Sequence, residues 1–224
     1  MGSVTLRYTP TNTFETFPFP QNLTPTQEQA LELIGEQYHE HRKQLMLAMQ
    51  LGLTKTYNAF HAKGVNSEWL GNTATVEVGE MKMVNGKLQM VNSKWQMPSG
   101  VKPDKQMELL YKHISKLETN MDMIEAVHGI EELRALHVKM DHAVLDAYGW
   151  NDIQLLHDFY EVDYLPENDR VRFTIHPNAR KEILKRLLEL NHKIYAEEVA
   201  AGLHNKKKSS GKKKVSSEEQ GELF

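Results

Sequence analysis

Cysteine is absent from this 224-residue sequence. Disulfides, cysteine-ligated zinc, iron–sulfur clusters and thiol nucleophiles are excluded with it. Long apolar runs are missing too: a stretch such as Leu45–Met49 falls far short of the ~20 residues that a membrane helix needs. The opening Met1-Gly2-Ser3-Val4-Thr5-Leu6-Arg7 lacks the basic start and apolar run of a secretory signal, so a cytoplasmic location is expected. Nor is there much net charge of one sign. The formal value of −3 conceals an asymmetry, because the last twenty residues hold six lysines against three glutamates. That tail is +3 and the rest of the chain −6. An acidic body binds DNA poorly by itself, since nonspecific affinity comes from cations that neutralise phosphates.

What is present, 40% hydrophobic and 25% charged, suits one soluble domain of ordinary composition or two small ones. Thr, Pro and aromatic residues dominate the first twenty positions, ending Phe14-Glu15-Thr16-Phe17-Pro18-Phe19-Pro20. A short strand followed by a stiff connector is expected, because each Pro fixes its own φ and restricts its predecessor. Thr24-Pro25-Thr26-Gln27 has the form of a capping box with Pro at the first helical position. The helix it opens carries Ala30, Leu31, Ile34, Tyr38, Leu45, Ala48 and Met49 on one face, passes through His41, and reaches a C-terminal cap at Gly52. Thr54 can cap a short second helix through Tyr57, Phe60 and His61.

Val84-Asn85-Gly86-Lys87 then predicts a hairpin with a two-residue turn, its strands near Val76–Val84 and Leu88–Trp95. Asp104 can cap a helix bearing Met107, Leu110, Tyr111, Ile114 and Leu117, with interrupted helix to Gly129. Leu133, Leu136, Met140, Ala143 and Ala147 form a second amphipathic stripe stopped by Gly149. Two alternating runs follow, Tyr160/Val162/Tyr164 and Val171/Phe173/Ile175, around a Pro166-Glu167-Asn168-Asp169 turn, so that Glu161 and Asp163 could face Arg170 and Arg172. Pro177 opens a last helix with Ile183, Leu187, Leu190 and Ile194 at helical spacing, and from Asn205 the Lys, Ser and Gly content predicts a disordered tail. The expected fold is α+β and mainly helical, with a short N-terminal strand, three to four main helices and two β-hairpins.

Several strings together resemble the C-terminal region of bacterial enzymes that fuse an N6-adenine DNA methyltransferase to a target-recognition domain. They are Leu6-Arg7-Tyr8-Thr9-Pro10 with Phe14–Pro20, then Leu53-Thr54-Lys55-Thr56-Tyr57-Asn58-Ala59-Phe60-His61. Leu133-Arg134-Ala135-Leu136-His137 with Met140–Trp150 comes next, and finally Leu187-Leu188-Glu189-Leu190-Asn191. The resemblance implies a place in restriction-modification or phage-defence systems, with S-adenosylmethionine as the parent enzyme's cofactor. It divides the chain into 1–23 (end of a recognition domain and connector), 24–66 (helical), 67–129 (an insertion), 130–204 (helix, hairpin, helix) and 205–224 (basic tail). Because the match is under way at Leu6, the chain is expected to begin inside the recognition domain, as a truncated, split or separately encoded tail. Amino-methyltransferases need a Gly-rich turn and a polar-Pro-Pro-aromatic loop to hold the flipped base. This sequence has no Gly-x-Gly and no Pro-Pro, so no catalytic residue and no bound cofactor are expected in it. The expected role is support of DNA-target recognition beside an upstream polypeptide on double-stranded DNA; the alternative is an adaptor of a defence complex without DNA binding.

Candidate residues follow from these readings. Arg7, Lys55, Arg170 and Arg172 could contact phosphates, as could Lys206, Lys207, Lys208, Lys212, Lys213 and Lys214 of the tail. The two hairpin arginines could equally pair across the strands, and the tail lysines could simply keep the terminus soluble. His137 and Asp141 at i and i+4, with Tyr148, form one stripe; a base oriented by an acid is one reading, and a polar network reaching Tyr57 is the preferred one because no nucleophile accompanies them. No metal site is expected: in His39-Glu40-His41 the histidines, two apart on a helix, point in different directions. Glu80-Met81-Lys82 and Pro103-Asp104 stand in the wrong order for a nuclease. Met81, Met83, Met90 and Met97 suit adaptable packing or a partner surface.

The last five residues, Gln220-Gly221-Glu222-Leu223-Phe224, resemble the short peptide by which bacterial DNA-processing proteins dock on the replication sliding clamp. In that mode Gln220 hydrogen-bonds while Leu223 and Phe224 fill an apolar pocket. Peptide 216–224 titrated against purified clamp is expected to bind, and the Leu223→Ala/Phe224→Ala double variant to lose binding. No binding at high micromolar clamp, or equal binding by the double variant, removes this partner.

Overall fold

The computed structural model describes residues 17–68, 77–84, 87–95, 105–117 and 122–203. Among them are five helices and two two-stranded antiparallel sheets, the mainly helical α+β composition expected. The helices are α1 (Pro25–Met49), α2 (Leu53–Phe60), α3 (Lys105–Ile114), α4 (Met123–Ala147) and α5 (Pro177–Ala200). The strands are β1 (Glu77–Val84), β2 (Lys87–Trp95), β3 (Asp158–Glu161) and β4 (Val171–Thr174). The N-terminal strand near Leu6, the Asn85-Gly86 turn, the Asp104 cap and the basic tail lie outside the described residues. No helix among the described residues is long and apolar enough to cross a membrane. The chain divides into two units, Phe19–Lys185, and Met1–Pro18 with Arg186–Phe224.

In the first unit, α1 and α4 form the main helix pair. Each has 25 residues, about 37 Å of helix, and each opens with a capping box, Thr24 with Gln27 and Asp122 with Glu125. They run antiparallel, because Gln27 near the start of α1 meets Asp146 near the end of α4. Gln27 works at both helix ends. Its Oε1 accepts from the Thr24 N–H at 3.0 Å, an otherwise orphan donor, and its Nε2 donates to the Asp146 carbonyl at 2.8 Å, which also accepts from the Gly149 N–H. At the other end of the pair, His41 Nε2 donates to the Gly129 carbonyl at 2.8 Å.

The core between them holds Ile34, Tyr38, Leu45 and Met49 of α1, Phe60 of α2, Met107, Leu110 and Ile114 of α3, and Val127, Ile130 and Leu133 of α4. A smaller cluster joins Leu145, Ile153, Leu155 and Ala179. Several expectations are corrected here. Ala30 and Ala48 are exposed, since the packed stripe of α1 is narrower than its apolar composition. The C-cap of α1 is Gln50, in the left-handed region at φ 50°, and Gly52 is instead the N-cap of α2, leaving Thr54 inside that helix. Only two residues separate α2 from Gln50, and Leu51 is buried, which forces the turn early. Gly129 does not end a helix; α4 runs through it, and the expected 129/130 boundary falls inside one helix.

The first hairpin has the expected strands, with Val84 opposite Lys87 and an irregularity between Val78 and Glu80. The second pairs Phe159 with Phe173 and Tyr160 with Arg172. Tyr160, Val162 and Tyr164 therefore do not line one face: β3 ends at Glu161, Val162 is buried and Tyr164 is exposed. In the second unit, the Arg186–Ala200 part of α5 carries Leu188, Tyr195 and Val199 exposed. The predicted Leu187, Leu190 and Ile194 are half-buried there.

Gly129 yields a test. A Cβ there would overlap Leu45 Cδ1, so Gly129→Ala sets a helix-propensity gain of about 1 kcal/mol against an overpacking cost of about 1–3 kcal/mol. We expect net destabilisation in urea unfolding, and a change of sign when Leu45→Ala removes the obstructing methyls. Stabilisation by Gly129→Ala in the unaltered chain would show that Leu45 is free to move aside.

Candidate functional site

The densest grouping of polar and titratable side chains lies where the end of α2, the middle of α4, and β3–β4 converge. α2 stops at Phe60 with C-cap His61, and its last carbonyls have no helical partner. Arg134, 7% exposed, supplies donors. Its Nε donates to the Phe60 carbonyl at 2.8 Å, Nη1 to Val65 at 2.6 Å, and Nη2 to Ala59 at 3.0 Å and Ala62 at 2.9 Å. The guanidinium carbon lies 5.1 Å from the ring centre of Phe159 and 5.8 Å from that of Phe173, within cation–π range. Burial pulls its pKa down to about 10, so it is a cation at neutral pH.

One turn along α4, His137 faces the aromatic wall, edge-on to Phe60 at 5.6 Å and tilted to Tyr38 at 5.9 Å. Tyr38 and Tyr57 share a hydroxyl hydrogen bond of 2.7 Å. Burial, and then that bond, raise the Tyr38 pKa. Asp141 lies nearer a residue outside the expected set. Its Oδ2 accepts from His157 Nε2 at 2.8 Å, whereas His137 Nε2 stands 3.7 Å away. His61 packs edge-on against Phe60 at 5.0 Å. The Nδ1 atoms of His61 and His137 are buried without a hydrogen-bond partner among the described residues. Burial, assisted by Arg172, His137 and Arg134, pushes the His61 pKa down to about 4. Burial also lowers that of His137, with Asp141 opposing it.

The structure thus brings His137, Asp141 and Tyr57 together, and adds His61, His157, Tyr38 and Arg134. Tyr148 stands apart, stacked on Trp150 at 4.5 Å at the end of α4. Asp141 acts mainly on His157, so the reading of His137 as a base oriented by Asp141 is corrected. Arg134 stands between Leu133 and Leu136 of the amphipathic stripe, the one sign of it legible in the sequence; nothing in the sequence ties His157 to Asp141. The cross-strand pairing expected of the arginines is replaced as well. Arg172 pairs with Asp169 at 2.5 Å, Arg170 Nε donates to the Leu165 carbonyl at 3.1 Å, and Glu161 faces Val171. Arg172 prefers Asp169 because the short 3₁₀ turn Glu167–Asp169 brings that carboxylate three residues away. His41 donates to Gly129 while Glu40 contacts Lys43 and Gln44.

Lys55 lies on α2 at the edge of a pocket. Arg7 lies outside the described residues, and so do Lys206, Lys207, Lys208, Lys212, Lys213 and Lys214 of the basic tail. The same holds for Gln220, Leu223 and Phe224 of the clamp-like peptide.

Chemically the cluster is inward-turned. The hydroxyls beside the histidines are the mutually bonded Tyr38 and Tyr57, and the nearby Thr56 hydroxyl donates to the Gly52 carbonyl. Among the described residues no group of three or more His, Asp or Glu side chains could hold a metal ion. The cluster's measurable property is acid sensitivity. His61 titrates near 4 when folded and near 6.5 when unfolded, so between those values the unfolded chain binds the extra proton. Stability is full above pH 6.5 and falls as pH drops toward 4. His61→Leu is expected to flatten that slope in urea unfolding at pH 7, 5.5 and 4.5; a slope identical to that of the unaltered chain would show that His61 is not the sensor.

Comparison with protein-family models, curated proteins and solved structures finds no match to this chain.

Proposed function

We propose that the chain is a non-catalytic support for DNA-target recognition, of the kind carried beside the recognition domain of N6-adenine methyltransferases in restriction-modification and phage-defence systems. The observation that carries this reading is the contact between two of the strings on which the resemblance rests. Leu53–His61 forms α2 and its cap, Leu133–Trp150 lies mostly within α4, and Arg134 of the second grips the Ala59 and Phe60 carbonyls of the first. Strings far apart in sequence thereby form one packed element, with the 67–129 segment between them. A buried cation held by four carbonyls, and histidines kept neutral by burial, favour cohesion over turnover.

In this reading S-adenosylmethionine belongs to the parent enzyme and is not bound by this chain. With Arg170 and Arg172 engaged internally, phosphate contact is assigned in this reading to Arg7 and to the two lysine triplets, Lys206, Lys207, Lys208 and Lys212, Lys213, Lys214.

Fluorescence anisotropy with a labelled duplex tests the proposal. Affinity is expected to fall steeply between 50 and 200 mM salt, by about a thousandfold if all six tail lysines meet phosphates. Replacing those lysines with glutamine should remove most of that slope. Absence of affinity at 50 mM salt, with stable co-purification of a partner protein, would replace this reading by the adaptor. Transfer of labelled methyl groups to DNA by the chain alone would overturn its non-catalytic character.

A further inference from the structure

Between α2 and α3 lies a cavity of about 260 Å³ that shares with the histidine cluster only Ala59, whose carbonyl Arg134 holds. Its apolar walls include Leu51, Ala59 and Leu110, all buried, and Leu109, which is half-exposed. The polar lining comes from Lys55 and Asn58 on α2 and from Gln106 and His113 on α3. On each helix these positions recur three or four residues apart, so each helix presents one continuous face to the cavity. His113 is held in place, its Nε2 donating to the Met49 carbonyl at 2.8 Å. That bond closes the end of α1 and fixes the imidazole along the cavity's edge. Among the described residues the lining contains a lysine, a histidine and two carboxamides, and no acid.

We propose that this cavity binds a small amphiphilic carboxylate, its apolar body against Leu51, Ala59 and Leu110 and its anionic head at Lys55. Charge complementarity selects the sign of the head: one cation with amide donors nearby and no carboxylate in the described lining attracts an anion and repels an amine. Size selects the body. At the ~30 Å³ that a water molecule occupies in the liquid, the volume accommodates about nine non-hydrogen atoms, which suits the body of an eight-carbon acid, or a single aromatic ring with a short arm, whose carboxylate stays at the exposed Lys55. A single ammonium group is a point charge suited to one carboxylate, whereas the phosphate sites of proteins gather arginine forks or several backbone donors. Lys55 is then a head-group ligand and not a contact to the DNA backbone, and the inference is independent of the proposed function.

Isothermal titration of the full chain with sodium octanoate, 1-octanol and octylamine tests it. Octanoate is expected to bind with Kd at or below about 1 mM, a modest affinity in keeping with so small a ligand. Octanol should bind at least tenfold more weakly, and octylamine more weakly still. Lys55 is exposed, so Lys55→Gln should fold normally and weaken octanoate at least tenfold while leaving octanol unchanged. Leu109→Trp, at a half-exposed position, should fill the cavity and abolish binding of both. No octanoate binding at 5 mM (a concentration set about fivefold above the expected Kd), equal affinity for octanoate and octylamine, or indifference of octanoate to both substitutions would each overturn the proposal.

Discussion

The guanidinium of Arg134 is the contact on which the rest of the first unit depends. Removing a cation from water costs several kcal/mol, and no carboxylate among the described residues hydrogen-bonds to this one. Four carbonyls at and beyond the end of α2 take that place, at the helix terminus where the macrodipole is negative, and two aromatic faces enclose it. Four of its five N–H donors are thus used. A lysine brings three donors that radiate from one atom and could not hold four carbonyls in this arrangement. The fork also fixes where Phe60 lies, and Phe60, 1% exposed, is the ring against which Tyr57, His61, His137 and Phe173 all pack.

The α1–α4 pair uses the same device, a side chain that satisfies the backbone of another helix. Gln27 reaches the carboxyl end of α4, His41 the carbonyl of Gly129, and His113 of α3 the last carbonyl of α1. Each contact joins residues far apart in sequence and gives direction to an interface that hydrophobic burial alone would leave free to slide. Leu45 fits against Gly129 because no Cβ intervenes, and the close approach also brings His41 within reach of the carbonyl.

Local signals were legible in the sequence, and long-range pairings were not. The Thr24 capping box, Pro177 at the start of α5 and the pairing of the strands Glu77–Val84 and Lys87–Trp95 act within a few residues, so their chemistry is written at one place. Gly52 and Gly129 misled for a common reason. Glycine permits a left-handed cap, but it equally permits an extended N-cap or a close helix contact, and only the tertiary partner decides. The His137–Asp141 spacing correctly put both on one stripe of α4. That Asp141 turns chiefly to His157 depends on where the chain returns after Trp150, which no periodicity records. The arginines of the second hairpin were assigned partners by strand alternation, but the 3₁₀ turn supplied Arg172 with a nearer acid and Arg170 turned to the Leu165 carbonyl.

That return is itself strained. Leu156 has φ 46° and is exposed, a left-handed conformation that costs a branched side chain of order 1–3 kcal/mol. The two residues beside it explain why it persists. Leu155 is buried in the smaller core, and its carbonyl accepts from the His176 N–H at 2.8 Å. His157 is buried on Asp141. The left-handed residue sits directly between these two anchors, and the Leu156 carbonyl is further held by the Tyr160 hydroxyl at 2.7 Å. The strain at one exposed leucine is thus offset by two buried anchors, one apolar and one polar. The polar one couples the backbone at Leu156 to the histidine cluster: Asp141 stands between His157 and His137, whose ring centres are 6.4 Å apart. The segment that joins α4 to the second hairpin is therefore held by the same carboxylate that lies between His137 and His157 of the cluster.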